Sequence, residues 1–334
     1  MKYVPSLEPS YIPMITKVQE FKEKGTIPFA ICVERNKGYK YRYDLKLIEN
    51  NEAENAEFVE RIIKTILWVV GGFKIYLGGD AALVKKMQEV FSLEGARAFD
   101  VDFMARIYGQ KFEIIPCEYD AVPASVESSI PSGGHLDGCR IGFDAGGSDR
   151  KVSAVVNGEA IYSEEVVWFP KTNEDPEYHY QGILDSFKRA ASKMPRVDAI
   201  GVSSAGVYVD NQVRAASLFI KVPQDKFDAQ VKDIYIRAAK EIGDVPLEVA
   251  NDGDVTALAG ALELKDGCVL GIAMGTSEAA GYINKDGNLN GWLSELAFAP
   301  VDFNKGAMVD EWSGDYGCGV KYFSQDGVIK LAEA

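Results

Sequence analysis

The segment that decides the fold is Cys139–Val167, which reads CRIGFDAGGSDRKVSAVVNGEAIYSEEVV. Its apolar and β-branched residues predict strands at Arg140–Phe143, Lys151–Val156 and Ala160–Val167. Asp144–Ser148 separates the first two strands and contains two glycines, which permit a tight turn and let another group approach the backbone closely. The sequence therefore predicts a three-stranded meander whose first turn is either a plain hairpin turn or a binding loop.

Helices and strands alternate after this meander. The patterns predict a helix at Asp175–Met194, two strands with a glycine-serine turn in Val197–Arg214, and a helix at Asp225–Gly243. A strand, a polar turn and a further helix follow in Pro246–Leu262. Three strands followed by alternating helices and strands, in the order βββαβα, are typical of an α/β fold.

Composition limits the partners of the chain. It has 334 residues, 47% of them apolar, and a formal charge of -14. The negative charge argues against broad contact with nucleic acid or anionic membrane. The longest apolar run, Thr65–Phe73, is far shorter than the ~20 residues that span a bilayer. We therefore expect a cytoplasmic protein of two or three lobes that binds neither nucleic acid nor membrane.

The cysteines and histidines do not suggest a metal site. The five cysteines are isolated in sequence, and no CxxC pair occurs, so we expect reduced and mostly buried thiols. The two histidines, His135 and His179, lack a recognisable ligand spacing. We expect both of them at the surface or in linkers.

The chain divides into three parts by composition. Residues 1–135 combine helices with a hairpin that turns at Lys37-Gly38, which predicts an N-terminal α/β domain of unassigned role. Residues 136–265 form the first lobe. Residues 266–334 form the start of a second lobe. This is predicted because a strand from Cys268, a Gly-Thr-Ser turn and a second strand repeat the opening pattern.

The two repeated hairpins suit a phosphate chain. Their glycines expose backbone N–H groups, and Ser148, Thr276 and Ser277 add hydroxyl donors. We expect Gly146, Gly147 and Gly275 to contribute through their backbone, with one phosphate chain between the two hairpins. Beside a phosphate, a carboxylate such as Asp144 can hold Mg²⁺ directly or through water, because hard cations prefer oxygen ligands.

Asn251-Asp252 stands between an apolar strand and a helix rich in small residues. Asp252 or Asp254 can serve as the N-cap of that helix. Alternatively, Asp252 takes a proton from an attacking hydroxyl as a general base, and Asn251 orients that hydroxyl. The sequence leaves both roles open.

Together these residues resemble the superfamily of actin, hexokinase and the heat-shock ATPases, and within it the ROK family of sugar kinases and repressors. Asp144-x-Gly-Gly-Ser148 is similar to the first phosphate loop of the family, and Asn251–Leu258 is similar to its N-D-x-N-x-A-A-L segment. The resemblance covers about Arg140–Lys330. It implies ribonuclease H-like lobes, ATP and Mg²⁺ as cofactors, Asp252 as the base, and Asn251 as a ligand of a sugar hydroxyl.

Other segments depart from the family pattern. Gly275–Gly281 resembles the second phosphate loop, but Ser277 and two alanines replace glycines, and a glutamate, Glu278, is introduced. Glu295 matches a sugar-binding carboxylate, while Phe298 stands at the position of the family's histidine. The zinc cluster of the family is reduced to Cys318, so we expect no zinc site. Val202–Asn211 resembles the sugar loop, which makes Ser203, Ser204 and Asn211 candidate substrate ligands.

The sequence ends at GVIKLAEA, inside an apparent amphipathic helix. The resemblance implies further segments that hold adenosine, so we expect the C-terminal lobe to be incomplete. We expect a truncated chain. The alternative is a permuted one, in which the helix, strand, Gly78-Gly79 and helix of residues 62–91 supply that element.

Two functional hypotheses remain from the sequence. In the first, the protein is an ATP-dependent kinase that acts on a small-molecule sugar. In the second, it is a catalytically weak sensor that binds sugar or nucleotide in the same cleft. The retained Asp144 and Asp252 favour the kinase, and the altered second loop favours the sensor. The sequence is compatible with a homodimer.

Overall fold

The computed structural model describes residues 4–127, 129, 133–275 and 277–333. It has two compact units. The first comprises Met1–Ile130, Ile272–Tyr282 and Asn288–Ala334, and the second comprises Pro131–Gly271 and Ile283–Gly287. Residues 288–334 thus group with the N-terminal region, whereas the sequence placed them in a lobe of their own. The three-part division into domains stays a prediction.

A four-stranded sheet lies in the first unit. Its strands are Ile27–Glu34 (β1), Lys40–Leu47 (β2), Lys74–Gly78 (β3) and Glu113–Cys117 (β4). Their order is β2-β1-β3-β4, in which β2 and β3 run antiparallel to β1, and β4 runs parallel to β3. Lys37 and Gly38 both have positive φ and turn the chain between β1 and β2, as the sequence predicts. Residues 29–33 of β1 are fully buried, which places the core of this unit around that strand.

Four helices accompany this sheet. They are Met14–Lys24 (α1), Glu52–Val69 (α2), Ala81–Val90 (α3) and Ala98–Tyr108 (α4). Glu52 and Glu54 lie in the first turn of α2, where negative charge stabilises a helix N-terminus. The sequence did not predict α4, because its apolar residues are spread around the helix and form no clean stripe. None of the described helices is both long and apolar enough to span a membrane.

The second unit is built on a five-stranded sheet. Its strands are Cys139–Ala145 (β5), Asp149–Val156 (β6), Glu159–Val167 (β7), Ala199–Ser204 (β8) and Leu247–Ala250 (β11). Between β8 and β11, the chain forms two short strands, Val207–Val209 (β9) and Gln212–Ala215 (β10). The sheet order is β11-β8-β5-β6-β7. β6 pairs antiparallel with both of its neighbours, whereas β5, β8 and β11 are parallel to one another. The predicted meander, β8 and β11 are therefore present in one sheet, whereas β9 and β10 pair with each other in a separate two-stranded sheet.

Helices pack on this sheet through apolar side chains. Pro176–Ala191 (α5) places Phe187 against Phe143 of β5, with ring centroids 5.4 Å apart. The helix predicted at Asp225–Gly243 is broken in the structure. It consists of Gln224–Lys226 (α6), a π-helical turn at Phe227–Val231, and Ile234–Ile242 (α7). Asp252–Leu264 (α8) follows β11.

The remaining elements are short. Val269–Met274 (β12) and Glu278–Ile283 (β13) form a two-stranded sheet, and Gln325–Glu333 (α9) is the predicted C-terminal helix. Among the cysteines, Cys32, Cys139 and Cys318 are buried, Cys117 is half-buried and Cys268 is exposed. His179 lies in α5 and is fully buried, so its predicted place at the surface was wrong.

Candidate functional site

The carboxyl ends of three parallel strands form a row in the second unit. Asp144 of β5 lies opposite Ser203 of β8, and Ser203 lies opposite Ala250 of β11. Residues in register on adjacent strands point to the same face of a sheet, so Asp144 and Ser203 share one face. Both are half-buried. In open α/β sheets, this end of the strands is the usual place for a ligand.

The first glycine-rich loop follows directly. Strand β5 continues through Ala145, so Asp144 belongs to the strand and the loop is shorter than predicted. The indole Nε1 of Trp168 donates to the Gly146 carbonyl oxygen at 2.8 Å, and the Trp168 amide donates to the Ser148 carbonyl oxygen at 3.1 Å. A β-carbon added at Gly146 would lie 2.7 Å from the Asp149 carbonyl oxygen, which explains the glycine. The loop is thus fixed through its carbonyl groups.

The N–H groups of this loop are open. No acceptor among the described residues hydrogen-bonds the amides of Gly146, Gly147 or Ser148. The Ser148 hydroxyl donates to the Asp149 carboxylate at 3.0 Å, and Lys151 lies 3.2 Å from the same carboxylate. Three adjacent amides can bind the oxygens of an anion, as in other backbone anion sites. This loop can therefore hold a phosphate group.

Asp252 lies at the start of α8, two residues beyond the strand row. Burial raises its pKa above the ordinary value of 3.8; its hydrogen bond from the Gly253 amide, at 3.1 Å, lowers the pKa in part, and the negative charge of Asp144 raises it. The two carboxylates are therefore close enough to interact. A carboxylate with a raised pKa is a better proton acceptor than an ordinary aspartate.

Asn251 is the N-cap of α8, a position that the sequence gave to Asp252 or Asp254. Its Oδ1 accepts from the Gly253 amide at 2.7 Å, and its Nδ2 donates to the Gly206 carbonyl oxygen at 2.7 Å. These bonds satisfy part of the amide side chain and fix the turn that carries Asp252. Its role as a substrate ligand stays a prediction.

Two other candidate substrate ligands make internal bonds. Ser204 is fully buried and accepts a hydrogen bond from the Tyr235 hydroxyl at 3.2 Å. The Asn211 side chain accepts from the Val249 amide at 2.8 Å and donates to the Leu247 carbonyl oxygen at 2.9 Å. Asn211 therefore extends the hydrogen bonding of β11, the edge strand of the sheet. Ser203, beside Asp144, is the better placed serine for a ligand.

The second glycine-rich loop lies in the first unit. The Gly275 amide donates to the Ser277 carbonyl oxygen at 3.0 Å, and Thr276 lies outside the described residues. Glu278 follows as the first residue of β13 and is only 5% exposed, with no hydrogen-bond partner on its Oε2 in the described part of the chain. Burial and the negative charge of Glu295 raise its pKa to about 7. Glu278 is thus largely protonated at slightly acidic pH, which lessens its repulsion of an anion.

Charged residues surround Cys318, where the resemblance implied a reduced zinc cluster. Asp315 accepts from Arg61 Nη1 at 2.5 Å and Lys64 Nζ at 2.6 Å, and Arg97 lies 2.8 Å away. The Lys64 ammonium also lies 3.8 Å from the Cys318 sulfur. This segment of the first unit is therefore held to α2 by ion pairs.

The carboxylate of Asp144 fits part of the coordination shell of a magnesium ion. Within the described ranges, no three His, Cys, Asp or Glu side chains converge as a dedicated metal cage would require. Mg²⁺ commonly takes one or two carboxylates, several waters and phosphate oxygens. Asp144, close to Asp252 and beside the loop amides, offers that partial set.

Sequence reasoning missed Lys171. A β-carbon added at Gly147 would lie 2.9 Å from Cε and 3.0 Å from Nζ of Lys171, so this ammonium lies against the tip of the first loop. Lys171 follows β7 in the segment WFPKTN, and a lysine soon after the last strand of the meander was the available signal.

No family model matches the chain, and no curated protein matches it in sequence. Its structure is similar to the ROK hexokinase from Thermus thermophilus, with 17% identity, a TM-score of 0.45, and coverage of 58% of this chain and 62% of that one. It is also similar to glucokinase from Parabacteroides distasonis, with 18% identity, a TM-score of 0.42, and coverage of 58% of this chain and 56% of that one. A third similar structure is a ROK family transcriptional regulator, a homolog of the E. coli MLC protein, with 16% identity, a TM-score of 0.43, and coverage of 59% of this chain and 50% of that one.

The chain therefore spans between 50% and 62% of the length of these three structures. Over somewhat more than half of its length, the chain is similar in structure to proteins of the ROK family, the resemblance that its sequence motifs indicate.

Proposed function

We propose that the protein transfers the terminal phosphoryl group of ATP to a hydroxyl of a sugar or sugar-like substrate. The observation that carries this proposal is the position of Asp252 in the second unit. Its carboxylate has a raised pKa, interacts with Asp144, and follows the strand row that ends beside the open amides of the first loop. A proton acceptor and an anion-binding loop are the two parts that phosphoryl transfer to a hydroxyl requires.

The topology of the second unit supports this assignment. Its sheet order, with β6 alone antiparallel to the other strands, fits the ribonuclease H-like lobe implied by the sequence resemblance. In this interpretation, the loop after β5 binds phosphate and the turn after β11 carries the base. The Asn251 side chain accepts a hydrogen bond from the Gly253 amide and donates one to the Gly206 carbonyl oxygen. These two bonds fix the turn that carries Asp252.

The reaction follows from these positions. As the substrate hydroxyl oxygen attacks the γ-phosphorus, Asp252 accepts the hydroxyl proton. The bond between the γ-phosphorus and the bridging oxygen breaks, and ADP leaves with that electron pair. The amides of Gly146, Gly147 and Ser148 bind phosphate oxygens, while bound Mg²⁺ at Asp144 would neutralise charge on the phosphate chain. A base of this kind typically contributes ~10²–10⁴-fold in rate.

ADP release tests the proposal directly. The full-length protein, with ATP and Mg²⁺, is assayed against hexoses, amino sugars and polyols, each compared with a reaction that lacks the sugar. Stimulation by one sugar class supports a kinase and identifies its substrate class. ATP binding without stimulation across the panel would instead favour the sensor, a function that the altered second loop around Glu278 allows.

A further inference from the structure

Lys171 lies in a short 3₁₀-helix at the first phosphate loop of the second unit. This helix, Pro170–Thr172, comes directly after β7 and Trp168, and Trp168 bonds the loop carbonyls of Gly146 and Ser148. Lys171 is exposed, while its stem and ammonium lie against Gly147. The absence of a side chain on Gly147 is what lets the lysine approach the loop. The ammonium is thus positioned beside the open loop amides.

A buried histidine holds the helix that carries Lys171. The Nε2 atom of His179 lies 3.0 Å from the Pro170 carbonyl oxygen and 3.2 Å from the Leu218 carbonyl oxygen, and Nδ1 lies 3.0 Å from the Asp175 carbonyl oxygen. Carbonyl oxygens only accept hydrogen bonds, so in the tautomer with its N–H at Nε2 the ring donates toward Pro170 and Leu218 and ties α5 to the residue before Lys171. His179 also packs against Trp168, with ring centroids 6.4 Å apart.

The charges at the loop favour an anion beside Lys171. No carboxylate in the described part of the chain forms an ion pair with Lys171, although ion pairs are common elsewhere on this surface. Asp149 directly follows the loop in the sequence, and Lys151 and Ser148 already contact its carboxylate. Among the residues that the structure describes, no carboxylate lies within ion-pair distance of this ammonium, which is beside three open amides.

We propose that Lys171 is a phosphate ligand of the first loop and binds the phosphate chain of the nucleotide together with the amides of Gly146–Ser148. This inference rests on the proposed function and adds a binding residue that the loop motif alone does not contain. His179 is a positioning residue that acts through Lys171. The ligand class is a nucleoside triphosphate, or a free polyphosphate of the same chemistry.

Binding measurements on the full-length protein test this role. Lys171→Met keeps the apolar stem and removes the charge, while Lys188→Met changes another exposed lysine, on α5. Dissociation constants are measured for ATP, adenosine and inorganic tripolyphosphate. We expect Lys171→Met to raise the dissociation constants for ATP and tripolyphosphate roughly tenfold or more, because a charge-assisted hydrogen bond is lost. Adenosine affinity and the Lys188→Met protein should be unchanged.

Histidine variants test the positioning role in the same assay. His179→Leu removes both ring nitrogens, and His179→Gln restores a donor. We expect His179→Leu to weaken ATP binding in the native background and to have no further effect in Lys171→Met, with recovery in His179→Gln. An equal effect of His179→Leu in both backgrounds would show a merely structural histidine and overturn its positioning role.

The outcomes separate this inference from the proposed function. If the native protein binds ATP and Lys171→Met binds it equally well, Lys171 is not a ligand, and the kinase proposal stands. Tripolyphosphate binding that survives in Lys171→Met while ATP binding weakens would also overturn the inference, since it would place Lys171 near the nucleoside. If the native protein binds neither ATP nor tripolyphosphate, both proposals fail.

Discussion

Asp144 of β5 and Ser203 of β8 lie directly opposite each other in the parallel pairing of the two strands. The same serine lies opposite Ala250, so the three strand ends are level and the turn with Asp252 begins immediately beyond them. Because the row is fixed by backbone pairing, the separation of Asp144 and Asp252 depends on the sheet and on the cap made by Asn251. The loop that we propose to bind phosphate and the proposed proton acceptor are thereby positioned by the same sheet.

Asp315 provides a strong test of the first unit. Its carboxylate is 4% exposed and faces the side chains of Arg61, Lys64 and Arg97. We expect Asp315→Asn to lower the free energy of unfolding by roughly 3–5 kcal/mol, because removal of one partner leaves buried cations uncompensated. Urea denaturation measures the change. Asp326→Asn, at an exposed position in α9, should leave stability nearly unchanged, and an equal loss in the two variants would contradict the account.

The same carboxylate predicts a response to acid. Burial alone would raise the pKa of Asp315, but Lys64, Arg61 and Arg97 outweigh it and lower the pKa from 3.8 to about 2. A lowered folded-state pKa contributes stability that is complete above the unfolded value and is lost as pH falls through the folded value. We therefore expect native protein to lose stability between pH 4 and 2 more steeply than Asp315→Asn, in denaturation curves recorded across that range.

Glu278 predicts the opposite dependence on pH. Burial, with the charge of Glu295, raises its pKa from 4.5 to about 7. Between these pH values the folded state keeps a proton that the unfolded state has already released at lower pH. Stability is then fully present below pH 4.5 and declines as pH rises to about 7, by on the order of 3 kcal/mol. Glu278→Gln should remove this decline in thermal or urea unfolding. A decline of the same size in the variant would mean that another group is responsible.

Asn211 distinguishes a structural role from a substrate role. Its side chain bonds both the amide and the carbonyl groups of β11, and its φ of 63° is in the region where asparagine is favoured over alanine. We expect Asn211→Ala to cost about 1–3 kcal/mol of stability, because backbone groups of β11 lose their partners. Asn211→Asp, which keeps the acceptor, should cost less. Unchanged stability with a raised KM for the sugar would instead favour the substrate role.

Local patterns predicted much of the second unit. The three strands of the meander, the helix α5 and the turn after β11 follow from hydrophobic period, glycine position and capping chemistry within short windows. The turn at Lys37-Gly38 was equally predictable, because positive φ there favours such residues. The residues Asp144, Gly146 and Asp252 were placed near one another through motif resemblance, and the strand register brings their strand ends to the same edge.

Long-range packing limited the rest. The pairing of Asp315 with Arg61 joins residues 254 positions apart, and no local pattern signals such a contact. His179 was predicted at the surface because its sequence neighbours show no ligand spacing. Its contacts with the Pro170 and Leu218 carbonyl oxygens form only in the tertiary structure, so the sequence does not reveal them. The N-cap was assigned to Asp252 or Asp254, whereas Asn251 fills it, since the boundary of α8 lies one or three residues earlier than those assignments.

The proposed reaction depends on Asp252 accepting the proton of the substrate hydroxyl. The most direct measurement compares ADP release and ATP affinity in the native protein, Asp252→Asn and the matched Asp254→Asn, which lies in the same turn of α8. We expect Asp252→Asn to lose roughly 10²–10⁴-fold in turnover and to retain its ATP affinity, and we expect Asp254→Asn to be close to native in both. Retained turnover in Asp252→Asn, or an equal loss in both variants, would contradict the proposed reaction.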